Sequence, residues 1–188
     1  LGYSVEAASR FGWDAHGVDV SADVIRHCRN RGLRCQTFAG EYLPYPDCHF
    51  DVVTAWHVIE HVGNVAQALA EWTRVLRPGG VLALETPDSD CPKLKLRGGS
   101  YSRFWALGHT YAFHRRNLAA FAVGAGLTVV PTPFFGNPTY LRPHEFAYAS
   151  LYQFLKKAQH FTGLHKAFQL FCRRAACVQP SFTIRRAA

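Results

Sequence analysis

Two rhythms of apolar and polar positions alternate along this chain. The run Asp51-Val52-Val53-Thr54-Ala55, following Phe50, is short and β-branched and lacks helical spacing, the pattern of a strand covered on both faces. Between Asn64 and Leu76 the apolar residues Val65, Ala66, Leu69, Trp72, Val75 and Leu76 recur at three and four positions, which predicts an amphipathic helix capped by Asn64. Pro78-Gly79-Gly80 stops that helix, and Val81 to Glu85 is again a nearly continuous apolar run, predicting a second buried parallel strand. Strand, helix and strand form a βαβ unit. Ligands of open α/β sheets sit outside the carboxyl ends of such strands, which places the chemistry between Ala55 and His61 and between Glu85 and Asp88.

The same reading extends in both directions. Tyr3 to Phe11 is a short helix candidate, Asp14 to Val20 a strand ending in Gly17-Val18-Asp19-Val20, Leu33 to Phe38 a third strand, and Leu127 to Val130 another. An acidic residue at the tip of the second strand of a nucleotide-binding unit accepts hydrogen bonds from ribose hydroxyls, and Asp19 is the candidate for that role, with Val20 beside it. The long connection from Cys91 to His114, which holds His109, has the length of a lid or substrate-binding element.

Composition narrows the class. At 188 residues and 48% hydrophobic content the chain supports one core and a single domain, with no repeat or low-complexity tract. The absence of any apolar run long enough for a bilayer, and of a basic-then-apolar leader pattern, points to a cytoplasmic protein. Six cysteines without a CxxC pair read as reduced packing thiols. Charge is unevenly spread: residues 1 to 90 hold 7 Lys or Arg against 12 Asp or Glu, whereas residues 91 to 188 hold 14 against 1. Such a basic half attracts anions, whether a phosphorylated small molecule, an anionic membrane surface or RNA. The segment from Tyr140 to Arg174 intersperses aromatic and basic residues, which suits a helix lying at a membrane surface or a helix whose aromatics pack on the sheet.

His57, Glu60 and His61 form an HxxEH string. Imidazole and carboxylate at this spacing suit a divalent ion, and the same string occurs in a class of zinc peptidases, which require it inside a helix. Here it follows a strand, so the peptidase reading falls and no metal is assigned.

FDVV, the EHV turn, LRPGG and TPD, in this order, resemble the class I S-adenosylmethionine-dependent methyltransferases, in particular the small-molecule, ubiquinone-methyltransferase-like branch, over Leu1 to about Pro133. The resemblance implies a Rossmann-like α/β sheet with helices on both faces and S-adenosylmethionine as methyl donor. Its expected contacts are Gly2, Asp19, Val20, Gly40, Glu41 and Trp56. Counting back from Asp19, Gly2 falls at the last glycine of the family's GxGxG loop, so the chain is expected to begin inside that loop, with the first, central strand absent. Ala39 stands where the family commonly has an Asp beside the adenine. Some members hold a divalent metal with ExxEH and a later histidine; here His57 replaces the first Glu, and the reading adopted is that Glu60 and His61 shape the pocket. His61 and His109 are the candidate bases for deprotonating an acceptor. The expected layout is a core over residues 1–133, a basic, aromatic helical insertion over 134–180 and a last strand over 181–186. The expected activity is methyl transfer to a small-molecule acceptor, lipid-like or anionic, with RNA as an alternative acceptor. A degenerate, non-catalytic binding module is the alternative outside enzymology.

Overall fold

The computed structural model describes residues 2–38, 42–90, 108–130 and 167–175. Helix α1 (Tyr3–Arg10) leads to strand β1 (Gly17–Asp19), helix α2 (Ala22–Asn30) and strand β2 (Cys35–Thr37). Strand β3 (Phe50–Trp56), a 3-10 turn (Ile59–His61), helix α3 (Val65–Val75) and strand β4 (Leu76–Pro87) then build the βαβ unit. Helix α4 (Arg115–Gly124) and strands β5 (Leu127–Val130) and β6 (Ala167–Arg174) complete the described residues.

Local chemistry explains the boundaries. Asn64 caps α3 by accepting a hydrogen bond from the Gln67 amide at 3.1 Å. Ser21 does the same for α2, receiving the Val24 amide at 3.3 Å, and His114 closes a capping box with Asn117 at the start of α4. At the other end of α3, Arg174 reaches across from β6 and donates to the carbonyls of Thr73 (2.9 Å), Arg74 (3.2 Å) and Leu76. A cation on the last carbonyls of a helix both satisfies them and meets the negative end of its dipole.

The strands form two hydrogen-bonded sheets: β1 with β2 in parallel, and four strands in the order β3-β4-β6-β5. β3 and β4 are parallel, while β6 runs antiparallel to both of its neighbours. Among the described residues, β1 and β3 each pair on one side only. A cluster of rings formed by His16, Tyr45, His49 and Phe50 lies at their amino ends, with His16 just before β1 and Phe50 opening β3; His49 and Phe50 meet at a centroid distance of 4.6 Å and His16 and Phe50 at 5.8 Å.

One face of the larger sheet carries Ala55, Leu82, Leu84 and Leu170, packed under Val65, Leu69 and Trp72 of α3 and Leu118 and Ala122 of α4. The opposite face carries Val52, Trp56, Val81, Ala83 and Phe171 and is joined by Trp13, which also packs on Ala7 and Ala8 of α1. Helices α3 and α4 therefore cover one face, and Trp13 links the other to α1.

The main correction concerns the end of the chain. Residues 167–174, expected within a helical insertion, form β6, inserted antiparallel between β4 and β5. Phe171 and Cys172 are buried in the sheet, so this part of the basic, aromatic segment is core strand and not a surface helix. The alternation Leu170-Phe171-Cys172 is uniformly apolar because a central strand is covered on both faces, a pattern easily taken for one face of a helix. The expected strand at 181–186 and the rest of the insertion lie outside the described residues. Among the described residues no helix is long and apolar enough to cross a membrane.

Candidate functional site

The residues that matter gather beyond the carboxyl ends of β3 and β4. Parallel pairing sets Trp56 opposite Glu85, and a further backbone bond, from the His57 amide to the Glu85 carbonyl at 2.8 Å, extends the ladder by one residue. Successive side chains of a strand point to opposite faces. Glu85 therefore shares the face of Trp56, and Thr86 shares the face of Leu84.

His57 breaks that alternation. Its backbone is left-handed, with φ at 53°, unusual for a residue bearing a Cβ. The imidazole ends between two carboxylates from the two faces. Nδ1 lies 3.2 Å from Oε1 of Glu60, and Nε2 lies 3.4 Å from Oε1 of Glu85. The side chains of Glu60 and Glu85 retain only 1% and 9% of their exposure. The second oxygen of Glu60 accepts a hydrogen bond from the Thr86 hydroxyl at 2.9 Å. Hydrogen bonds to Glu60 and Glu85 outweigh burial and raise the His57 pKa to about 9. Burial works to raise the Glu60 pKa, yet the bonds from His57 and Thr86 prevail and hold it below the ordinary carboxylate value.

Glu60 also organises the backbone around it. Its carbonyl accepts the amides of Thr110 (2.8 Å) and Tyr111 (3.2 Å), which fastens the segment carrying His109 to the 3-10 turn. The Tyr111 hydroxyl donates to the Gly63 carbonyl at 3.0 Å. The two candidate bases are thereby brought together: the rings of His61 and His109 meet edge to face at 4.8 Å. Nδ1 of His61 lies 3.3 Å from the Gly108 carbonyl. A carbonyl can only accept, so Nδ1 carries the proton and Nε2 of neutral His61 holds a lone pair. Glu60, His61 and His109 also bring one ligand-type atom each to within 4.8 Å of one another. A divalent ion could be accommodated there, although the Glu60 carboxylate is already divided between His57 and Thr86.

The donor-side candidates lie on β1 and the first helix. Asp19 ends β1, and its Oδ1 accepts the Ser21 amide at 2.9 Å, which orients the carboxylate at the strand tip. Val20 is 72% exposed beside it, an apolar side chain open to solvent at a strand end. Gly2 precedes α1 with φ at +79°, and a Cβ there would lie 2.7 Å from Cys28 Sγ and 2.9 Å from Leu33 Cδ1. That glycine permits α1 to start hard against α2, the packing role of the last glycine in a nucleotide-binding turn. A carboxylate at a strand tip, an exposed apolar neighbour and a helix start that excludes side chains fit the adenosyl and amino-acid parts of S-adenosylmethionine. Trp56 lies at the end of β3 on the face of Ala83 and Phe171. Gly40 and Glu41, with Ala39, lie outside the described residues. The loop that follows them is pinned by α3: Arg74 donates to the Tyr45 carbonyl (2.9 Å), and Glu71 accepts the Leu43 amide (2.6 Å).

Sequence reasoning located His57, Glu60 and His61 but missed Glu85 as the second partner of His57. A signal was present: in Val-Leu-Ala-Leu-Glu the acidic residue ends an apolar strand at a position covered on both faces, and a buried carboxylate there requires a cationic partner.

A mixed sheet of this order, with its site at the carboxyl ends of β3 and β4, defines a Rossmann-like methyltransferase fold. A S-adenosylmethionine-dependent methyltransferase from Methanosarcina mazei has the same fold, with a TM-score of 0.62 over 92% of this chain and 87% of its own, at 17% identity. Residues 2–132 match the model of the methyltransferase domain family, and the chain belongs to that family. Among curated proteins it is 37% identical over 89 residues to a probable S-adenosylmethionine-dependent methyltransferase from Mycolicibacterium smegmatis, covering 46% of this chain and 35% of the relative. It is 36% identical over 92 residues to the ubiquinone biosynthesis O-methyltransferase of Methylococcus capsulatus, covering 45% and 39% respectively. The chain thus spans little more than a third of these relatives' lengths. S-adenosylmethionine is the cofactor that membership of the family implies.

Proposed function

We propose that this protein transfers a methyl group from S-adenosylmethionine to a hydroxyl of a small aromatic, quinol-like acceptor. The observation that carries the reading is the pairing of His61 with His109 beside the Glu60 turn, at the strand ends of a chain that belongs to the methyltransferase family. The likeness to a ubiquinone biosynthesis O-methyltransferase supports the acceptor class.

S-adenosylmethionine, when bound, supplies a methyl group already activated on a sulfonium. The chain's own tasks are positioning and proton removal. Asp19 would hold the donor by accepting hydrogen bonds from its ribose hydroxyls. Nε2 of His61 would take the acceptor's hydroxyl proton, His109 would flank the acceptor, and the donor would supply the methyl group, its S–C bond breaking as the O–C bond forms and S-adenosylhomocysteine leaving. The positive charge of residues 91–188 favours an acceptor that is anionic or delivered from an anionic membrane surface.

The test is transfer of labelled methyl from S-adenosylmethionine to a panel of short-chain catechols and hydroquinones, with tRNA and phospholipid as comparison acceptors. Labelled phenolic product, at least about tenfold reduced in His61→Ala, supports the reading. Label in RNA alone, or no transfer together with no calorimetric binding of S-adenosylhomocysteine, overturns it in favour of an RNA methyltransferase or a non-catalytic binding module respectively.

A further inference from the structure

We propose that His57 is the positioning residue of this site: an imidazolium that neutralises Glu60 and Glu85 and so fixes the turn presenting His61 and His109. The inference rests on the proposed methyl transfer only for its catalytic consequence; its structural content stands independently.

The geometry requires a cation. Each ring nitrogen of His57 faces a carboxylate oxygen, at 3.2 and 3.4 Å. A carboxylate can only accept, so a ring that satisfies both must carry both protons. The two acids come from different elements and different faces of the sheet, and both are buried. The left-handed backbone at His57 is what sends the ring between them.

Glu60 transmits the effect. Its side chain is fixed by His57 and Thr86, and its carbonyl holds Thr110 and Tyr111, the residues immediately after His109. Deprived of its cation, a carboxylate with 1% exposure must take up a proton or move toward water. Either outcome disturbs the turn Ile59–His61 and, through the two amide bonds, the placement of His109. The donor-side residues Asp19 and Gly2 belong to β1 and the start of α1 and have no part in this network.

Two variants separate charge from simple hydrogen bonding. His57→Gln keeps the size and one donor but removes the charge, and the double variant His57→Gln/Glu60→Gln removes the charge that needs neutralising. Amide hydrogen exchange at Thr110 and Tyr111 reads the turn without reference to activity. His57→Gln is expected to accelerate exchange at both amides by about tenfold or more, with exchange in α2 unchanged, and the double variant to return them most of the way to wild type. In the transfer assay, His57→Gln is expected to lower kcat while the KM for S-adenosylmethionine is unchanged. Unchanged exchange in His57→Gln, or no recovery in the double variant, overturns the proposal. If the wild-type protein transfers no methyl group, the proposed function fails, and the exchange data alone decide the role of His57.

Discussion

The charge on His57 has a thermodynamic signature that can be worked out in advance. Its pKa rises from 6.5 to about 9 on folding. A shift of that size is worth at most about 3 kcal/mol, and because a third of the side chain is exposed, screening reduces it to roughly 1.5 kcal/mol. The sign follows from linkage. A group whose folded pKa is raised contributes its full stabilisation below the unfolded value of 6.5 and loses it as pH rises from there to about 9. Glu60 behaves in the opposite sense: its folded pKa is depressed, so its contribution is complete above the ordinary value of 4.5 and is lost as pH falls through the folded value. The difference in stability between wild type and His57→Gln should therefore form a hump, highest between about pH 5 and 6.5 and falling to near zero by about pH 9.5. For a chain of this length, roughly 1.5 kcal/mol corresponds to a Tm difference of about 3–6 °C at the top of the hump. Burial raises the thiol pKa of Cys35 to about 11 and of Cys172 to about 12; both erode stability at high pH, but equally in the two proteins, so they cancel in the difference. The measurement is a pair of thermal melts at each pH from 4.5 to 10. A difference that stays constant from pH 6 to 9.5, or that grows with pH, would refute the imidazolium and with it the account of Glu60.

Four further outcomes are expected. Gly80→Ala should lower the Tm by several degrees in thermal unfolding, because a Cβ there would sit 2.8 Å from the Arg77 carbonyl and 3.0 Å from that of Asp51, and overpacking against backbone costs about 1–3 kcal/mol. Gly79→Asn should lower the Tm less than Gly79→Ala in the same assay, since φ at +81° strains any side chain but Asn least, and a Cβ at Gly79 meets no atom within 4 Å. Arg174→Ala should cost about 1–2 kcal/mol by urea unfolding through loss of the bonds to the α3 carbonyls. Asp19→Asn should weaken S-adenosylhomocysteine at least about tenfold by calorimetry while changing the Tm little, because the hydrogen bond that its side chain accepts from the Ser21 amide needs only an acceptor.

The βαβ unit was legible because its signals are local. Asn64 caps α3, and β3, β4 and β5 contain apolar runs whose lengths admit little else; α3 ends at Val75, ahead of Pro78-Gly79-Gly80, which lies within β4 and not at the helix end. The capped helix α2 went unread, as its interior from Ala22 to Asn30 is polar and only Ile25 and Cys28 are buried. β6 was misread for a different reason: its identity depends on pairing with β4 and β5, contacts more than thirty residues distant in sequence. In the site, the spacing of His57, Glu60 and His61 announced a cluster, and the resemblance to methyltransferases suggested His109 as a partner. What could not be read was how the ring of His57 would turn. That follows from a left-handed backbone residue at a strand end, which neither spacing nor periodicity encodes.

The antiparallel seat of β6 also sets a timetable for the emerging chain. Among the described residues β5 pairs with β6 alone, and β6 begins at Ala167, some 37 residues after β5 ends at Val130. At ordinary synthesis rates that gap lasts roughly 2–7 s, during which β4 lacks its pairing with β6 along Leu82, Ala83 and Leu84. Arg174 reaches the end of α3 only at the close of this interval, so one short strand both seals the sheet edge and caps the helix beneath it. Ribosome pausing between Val130 and Ala167 would lengthen the exposure of an aggregation-prone edge, which makes the translation rate through this segment a determinant of yield independent of the stability of the finished fold.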